Sequence, residues 1–339
     1  MSKINFKQMK RKQWFKLFVA LFVTLAAISC GSDDEDETGS DSDSEYKQKM
    51  REFVQNLSKY AKNKKSSFLI IPQNGQELVT SDGNENGSPD LDYLSAIDGA
   101  GREDLFYGFN DDNVSTPTSE LNYMLAFLNI CKQKKVSVLT TDYCWDHSKM
   151  DDSYSQNQSK GFISFAAPDR ELNTVPDYPS APFNVNSDDV NNLEEAKNFL
   201  YLLNNEKYNS KSEFITTLSN TNYDVFIIDL FFDGAEFSTS DIASLKTKKN
   251  GGKRLVIAYM SIGEAEDYRY YWKTDWKVGS PSFIEAENPD WEGNYKVQYW
   301  NTEWQNIIYG ASDSYLDRII AAGFDGAYLD IIDAFEYFE

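Results

Sequence analysis

The chain has 339 residues, 41% apolar and 26% charged, enough for one large domain with a sizeable core and no need of covalent staples. Its formal net charge is −21, although the first 30 residues carry six Lys/Arg and no acid, so the acidity is concentrated in the remainder. Such a surface repels nucleic-acid phosphates, which excludes a nucleic-acid partner, and it attracts cationic partners or a polycationic substrate. Aromatics reach 15%, with 21 Tyr and 7 Trp, which serves a core and equally serves the stacking of pyranose faces.

The leader comes first. Lys3, Lys7, Lys10, Arg11, Lys12 and Lys16 precede an apolar run from Leu17 to Ile28 and then Ser29-Cys30. A basic segment, a short apolar segment and small residues before a cut site read as a secretory signal, too short to span a bilayer comfortably. Ala27-Ile28-Ser29-Cys30 resembles a bacterial lipobox, with Ala27 where Leu is usual, and implies cleavage before Cys30 and lipid on its sulfur. Gly31 to Ser44 holds seven acids among Ser, Gly and Thr, so residues 30–45 are expected to be a disordered tether. The run Ser32-Asp33-Asp34-Glu35-Asp36-Glu37 resembles a surface-export signal of Gram-negative lipoproteins. The expected location is therefore the outer membrane, facing out, with the membrane engaged only through the lipid. Cys131 and Cys144 are too few for a disulfide framework, and the sequence leaves open whether they pair.

From Tyr46 onward, helical and strand patterns alternate. Tyr46 to Lys62 carries Met50, Phe53, Val54, Leu57, Tyr60 and Ala61 at helical spacing, and Phe68 to Ile71 is a short continuous apolar strand. A weaker strand is predicted at Tyr93–Ile97, a helix at Leu121–Ile130, and strands at Val136–Thr140 and Phe162–Ala166. Residues 169–193, rich in Asp, Asn, Pro and Ser, read as a connection. Then come a strand at Phe199–Leu203, a helix at Glu213–Leu218, and a strand at Val225–Ile228. A helix at Asp241–Lys249 is expected to stop at Asn250-Gly251-Gly252, and a strand follows at Leu255–Met260. An aromatic-rich insertion occupies 264–300. A helix at Tyr315–Ala322 closed by Gly323 and a strand at Ala327–Ile332 complete the chain.

Eight strands with helices between most of them predict an α/β protein with a parallel sheet, closed into a (β/α)8 barrel, with an open doubly wound sheet as the alternative. No Gly-rich phosphate loop follows any strand. Acids recur at strand ends: Asp229, Glu264 with Glu266, Asp330 with Asp333, Glu103 with Asp104, and Asp142, while Asn74 ends another. One strand-end acid is usually a cap or loop residue. Acids at five of eight strand ends would converge on one face.

The chain has a single His, His147, read as a surface-loop residue, and no Cys/His ligand spacing, so neither a metal nor another cofactor is expected. No Gly-x-Ser-x-Gly elbow supports a serine triad. Clustered carboxylates with aromatics suit glycoside cleavage, in which one carboxyl protonates the leaving oxygen and a second attacks the anomeric carbon or activates water.

Three segments carry a resemblance: Tyr223-Asp-Val-Phe-Ile-Ile-Asp229, Ala258 through Glu264-Ala-Glu266-Asp-Tyr-Arg269, and Gly323-Phe-Asp-Gly-Ala-Tyr-Leu-Asp330-Ile-Ile-Asp333. They resemble glycoside hydrolase family 114, which includes endo-α-1,4-polygalactosaminidases. Pro72-Gln-Asn74-Gly75, Glu103-Asp104-Leu-Phe-Tyr107 and the insertion from Asn288 to Trp304 are similar to it too. The order differs, because the strand ending in Asp330 precedes the Pro-Gln-Asn-Gly strand in the family. Joining Glu339 to Tyr46 restores it: strands one to four then lie near 199, 225, 255 and 327, and strands five to eight near 68, 95, 136 and 162. The resemblance implies a circularly permuted barrel over 46–339.

The resemblance also implies residue roles. Asp330 would be nucleophile or base, and Glu103 the acid. Asp229, Glu264, Asp333, Asn74 and Asp142 would line the sugar site. Trp145, Tyr259, Trp272 and Trp300 would stack on sugar. The expected partner is an amino-sugar polysaccharide, bound by a monomer that cleaves it or, alternatively, only binds it.

Overall fold

The computed structural model describes residues 42–339, so Cys30, the leader and the tether up to residue 41 lie outside the described residues. Helix α1 (Ser42–Lys64) buries Met50, Phe53, Val54, Leu57 and Ala61 along one stripe. It starts inside the stretch expected to be tether. The Glu45–Lys49 ion pair, one turn apart, supports those first turns.

After β1 (Leu69–Pro72) the sequence reading needs correction. Residues 93–97 are not a strand: helix α2 (Leu91–Ala96) is capped by Asp90, whose carboxylate accepts the Tyr93 N–H at 2.9 Å, and it turns Tyr93 and Leu94 inward. The strand is β2 (Gly99–Glu103), six residues further on. It has almost no β-forming residues because there is no room for them. A Cβ on Gly101 would lie 2.1 Å from the Tyr328 hydroxyl, and one on Gly99 2.7 Å from Leu193.

Helix α3 (Thr118–Gln133), β3 (Ser137–Tyr143), α4 (His147–Lys160) and β4 (Ile163–Ala167) follow. His147 therefore opens a helix rather than sitting in a loop, and its exposed ring stacks on Tyr178 at 3.7 Å. Cys131 and Cys144 are both buried and free.

The second half runs β5 (Phe199–Leu202), α5 (Lys211–Ser219), β6 (Val225–Ile228), a small hairpin of β7 (Phe231–Phe232) and β8 (Ala235–Glu236), α6 (Thr239–Leu245) and β9 (Leu255–Ser261). Helix α6 stops at Leu245 instead of reaching Lys249. The chain there folds back, with Thr247 bridged to Lys253, and Lys248 is drawn fully inside onto Asp224 at 2.8 Å. The insertion is an antiparallel sheet of β10 (Glu264–Glu266), β11 (Ile284–Glu287) and β12 (Asn294–Val297) with β12 in the middle. Helices α7 (Thr302–Ile308) and α8 (Tyr315–Ala322) lead to β13 (Gly326–Asp330), which ends two residues earlier than expected because Ile331 takes a left-handed φ of 58°.

Eight strands are parallel. They pair in the orders β1-β13-β9-β6-β5 and β2-β3-β4. The two groups meet where Gln73 bridges Gly101 in parallel, beside the bonds from Asp98 N to Ile70 O and from Asn74 N to Gly101 O, each 2.9 Å. Among the described residues no ladder joins β4 to β5, and the rings of Phe165 and Phe199 face each other across that gap at 5.8 Å. The architecture is thus α/β with a parallel central sheet. Strands such as Val-Phe-Ile-Ile of β6 are buried on both faces, which is why they read as continuous apolar runs. Each such side chain contributes about 1.5–3 kcal/mol.

Parallel pairing brings the C-terminal ends of these strands to one edge. The first described helix also meets the last residues: the ring of Tyr46 on α1 stacks on Phe338 at 5.4 Å, and Trp300 packs against Phe338 at 4.7 Å.

Candidate active site

At that edge two carboxylates share one amide. Beyond β1, Asn74 and Gly75 both adopt left-handed φ values of 61° and 49°, turning the chain off the sheet and leaving the Gln73 and Asn74 side chains at the strand end. The Gln73 carbonyl accepts the Tyr201 hydroxyl at 3.0 Å. The Glu103 carboxylate, which only accepts, fixes the other end of the amide as nitrogen. That Nε2 then donates to Glu103 Oε2 at 2.9 Å and to Asp330 Oδ1 at 3.0 Å. The two N–H bonds of a primary amide diverge by about 120°, so the carboxylate oxygens stand roughly 5 Å apart.

Each carboxylate has further donors. Asp330 accepts the Tyr259 hydroxyl at 2.6 Å and the Ile331 N–H at 2.9 Å. Glu103 accepts Asn74 Nδ2 at 3.1 Å and the Tyr143 hydroxyl, while its own N–H donates to Asn74 Oδ1 at 3.2 Å. Burial, and then the charge of Glu103, push the Asp330 carboxyl up to about 8. At neutral pH it therefore holds its proton, next to a carboxylate supplied with three donors.

Behind Tyr143 lies Arg170, its guanidinium 3.9 Å from the ring centre. Arg170 also pairs with Asp104 at 2.5 Å and with Asp112, and donates to the Gly108 carbonyl at 2.7 Å. Burial raises the Asp104 carboxyl to about 6, with Arg170 opposing.

The remaining expected residues divide. Asp229 is held by Arg269 through both oxygens, at 2.9 and 2.8 Å, and Arg269 also binds Glu266 at 2.6 Å, so this acid belongs to a buried ion cluster. Glu264 is fully buried and accepts Asn288 at 2.8 Å, Tyr337 at 3.0 Å and Asn294 at 3.3 Å; it ties the insertion to the end of the chain. Half-buried Asp333 faces a cavity beside Ile331, and burial raises its carboxyl to about 7.

Asp142 is withdrawn from the sugar face. Fully buried, it accepts the N–H groups of Phe106 and Tyr107 at 2.8 and 3.2 Å, Ser153 Oγ at 2.6 Å and Asn157 at 3.1 Å, which satisfies both oxygens internally. Trp300 is also withdrawn, packed between Tyr46, Tyr299 and Phe338. Trp272 stacks inside the insertion on Tyr295 at 4.7 Å, whereas Trp145, just past β3, is 53% exposed.

The sequence reading missed Gln73, Tyr201, Tyr143 and Arg170 as site residues. Gln73 stood within a quoted motif, but only its neighbour Asn74 was assigned. Tyr201 lies within the apolar strand run Phe199–Leu203, Tyr143 beyond the expected end of the strand Val136–Thr140, and Arg170 in the irregular connection. Among the described residues no group of three or more His, Cys, Asp or Glu is arranged to hold a metal ion.

Two carboxylates at the C-terminal edge of a parallel α/β scaffold are an arrangement that can carry glycoside cleavage. Residues 179–338, just under half of the chain, match the family model of glycoside hydrolase family GH114. An uncharacterized protein of Methanocaldococcus jannaschii is 41% identical over 154 residues, 43% of this chain and 43% of its own length. Uncharacterized proteins of Thermotoga maritima and Deinococcus radiodurans are each 42% identical, over 35% and 34% of this chain and 36% and 34% of their own lengths. The chain thus spans less than half the length of these relatives. Asp330, Tyr259 and Tyr201 lie inside the matched family segment; Gln73, Asn74, Glu103 and Tyr143 precede it.

Proposed function

We propose that the protein hydrolyses a glycosidic bond of an amino-sugar-containing polysaccharide, galactosaminogalactan-like, with Asp330 as proton donor and Glu103 as nucleophile. The observation that carries this is the Gln73 amide bonded to both carboxylates. A separation near 5 Å suits retention, since inversion needs about 6.5–9.5 Å to admit a water. The roles are exchanged relative to the sequence expectation, because Asp330 is the carboxyl that keeps its proton to about 8. In the first step the Asp330 O–H protonates the glycosidic oxygen while Glu103 bonds to the anomeric carbon and the leaving chain departs. In the second, the Asp330 carboxylate takes a proton from water, which displaces Glu103 and restores both groups. The net charge of −21 suits a cationic polymer.

The same reading makes the scaffold a circularly permuted barrel. It is supported by β13 lying between β9 and β1, by the stacking of Tyr46 on Phe338, and by β1–β4 preceding a family match that ends at 338. The lipid anchor at Cys30 and outer-membrane display complete the proposal, checked by palmitate labelling that Cys30→Ala abolishes. The central test is digestion of deacetylated and acetylated galactosaminogalactan, with mass spectrometry of the products and NMR of the first-formed anomer. Retention of configuration is expected. Inversion overturns the roles given to Asp330 and Glu103, and binding without cleavage makes the protein a carbohydrate-binding lipoprotein instead.

A further inference from the structure

Beside the carboxylates lies a cavity of about 220 Å³. It is walled by the Asn288–Trp291 turn of the insertion, by Lys296 on β12, and by Asp333 and Tyr337 of the C-terminal 3-10 turn (Ile332–Tyr337). Ile331, next in the chain to Asp330, also lines it, so the cavity opens alongside the site. At roughly 30 Å³ per water it has room for about seven waters, the bulk of one pyranose unit.

Its walls are fixed. Buried Glu264 accepts from both Asn288 and Tyr337, at 2.8 and 3.0 Å, tying opposite sides together. The turn is held by the bonds from Asn288 N to Asn294 O at 2.7 Å and from Asn294 N to Trp291 O at 3.1 Å. Lys296 Nζ rests on the Tyr337 ring at 3.9 Å.

Trp291 is the unusual member. Trp272, Trp276, Trp300 and Trp304 all pack against other rings. Trp291 is 59% exposed, and among the described residues no ring packs on it. An indole held out on a pinned turn, over a polar cavity, is suited to an apolar face edged with hydroxyl or amino groups.

We infer that this cavity is a subsite for a further pyranose unit of the bound chain, stacked on Trp291 with its polar edge on Asp333, Asn288 and Lys296. Near neutrality burial leaves the Asp333 carboxyl able both to donate and to accept, which fits a hydroxyl or an amine. The inference rests on the hydrolase reading for the direction of the chain, but its signature is binding and needs no cleavage.

The test is calorimetric titration of the full protein with α-1,4-linked galactosamine oligomers of increasing length, and separately with their N-acetylated counterparts. Wild type should gain affinity as the oligomer grows long enough to reach Trp291. Trp291→Ala should lose that increment, about three- to tenfold, while disaccharide binding and the melting temperature stay as in wild type. Trp291→Phe should restore most of it. A dependence on Trp291 confined to one series identifies whether an amine or an acetamide occupies the pocket. Equal binding by wild type and Trp291→Ala at every length overturns the subsite even if the enzyme cleaves, and wild type that binds neither series overturns it too. Length-dependent binding through Trp291 without hydrolysis keeps the subsite and defeats the hydrolase reading.

Discussion

Two clusters of acids sit at the same edge of the sheet and do different things. In one, Asp229 and Glu266 close on Arg269, which is almost wholly buried and answers both charges. In the other, Asp330 and Glu103 share the Gln73 amide and otherwise accept from neutral groups alone, Tyr259 and the Ile331 N–H on Asp330, Tyr143 and Asn74 on Glu103. Position at a strand end is common to both. What separates them is compensation. An acid pair neutralised by a guanidinium is a brace, whereas two acids held by neutral donors alone are poised for the proposed chemistry. Asp142 makes the same point with neutral donors: four of them consume its oxygens.

The sharpest break of that comparison is substitution at the reagent. Asp330→Asn and Glu103→Gln should each lower kcat by at least about 10²–10⁴-fold, with the melting temperature held or raised. Assays with an activated aryl leaving group should partly rescue Asp330→Asn and leave Glu103→Gln inactive, because only the proton donor becomes dispensable. Arg269→Met should do the reverse. It strands two buried carboxylates and should cost about 3–5 kcal/mol in a urea unfolding titration, with a smaller effect on kcat in the fraction still folded.

Gln73→Leu should fall between the two. Losing one donor to each carboxylate is worth about 1–3 kcal/mol, and the loss should appear in kcat more than in KM. Removing a donor disfavours the anion, so the acid limb of the pH–rate profile should move to higher pH. An unchanged profile would leave the amide a mere filler.

A separate effect is on stability against pH. Asp330 is raised from 3.8 to about 8 on folding, so its contribution is fully present below about 4 and is lost as the pH rises through about 8. The stability of Asp330→Asn relative to wild type should therefore grow between those limits and level off above them, which unfolding titrations across that range would read. A flat difference would mean that Asp330 ionises normally.

How much of this was legible follows from what each element is made of. Strands β5, β6, β9 and β13 are buried on both faces and declare themselves as apolar runs. Strand β2 does not, because Tyr328 and Leu193 occupy the space its side chains would take, leaving Gly99-Ala-Gly-Arg-Glu with no β signature. Glu103 stands out as a strand-end acid but after the wrong segment, and its role comes only through the resemblance. Helix α4 is largely polar, burying Met150, Ser153, Tyr154 and Asn157, so no hydrophobic stripe marks it. Gln73 escaped because its meaning depends on partners at positions 103, 201 and 330, a relation that no local pattern contains.

The hydrogen bond between Gln73 and Asp330 spans 257 positions of the chain. On a ribosome, Glu103 and its supporting residues emerge early and wait. Their partner Asp330 is made more than two hundred residues later, and β13 must then slot between β9 and β1, strands already made, with Phe338 closing on Tyr46. Long-range parallel pairing of this kind forms slowly. A chain cut anywhere between Glu103 and Asp330 would therefore hold one carboxylate without the other.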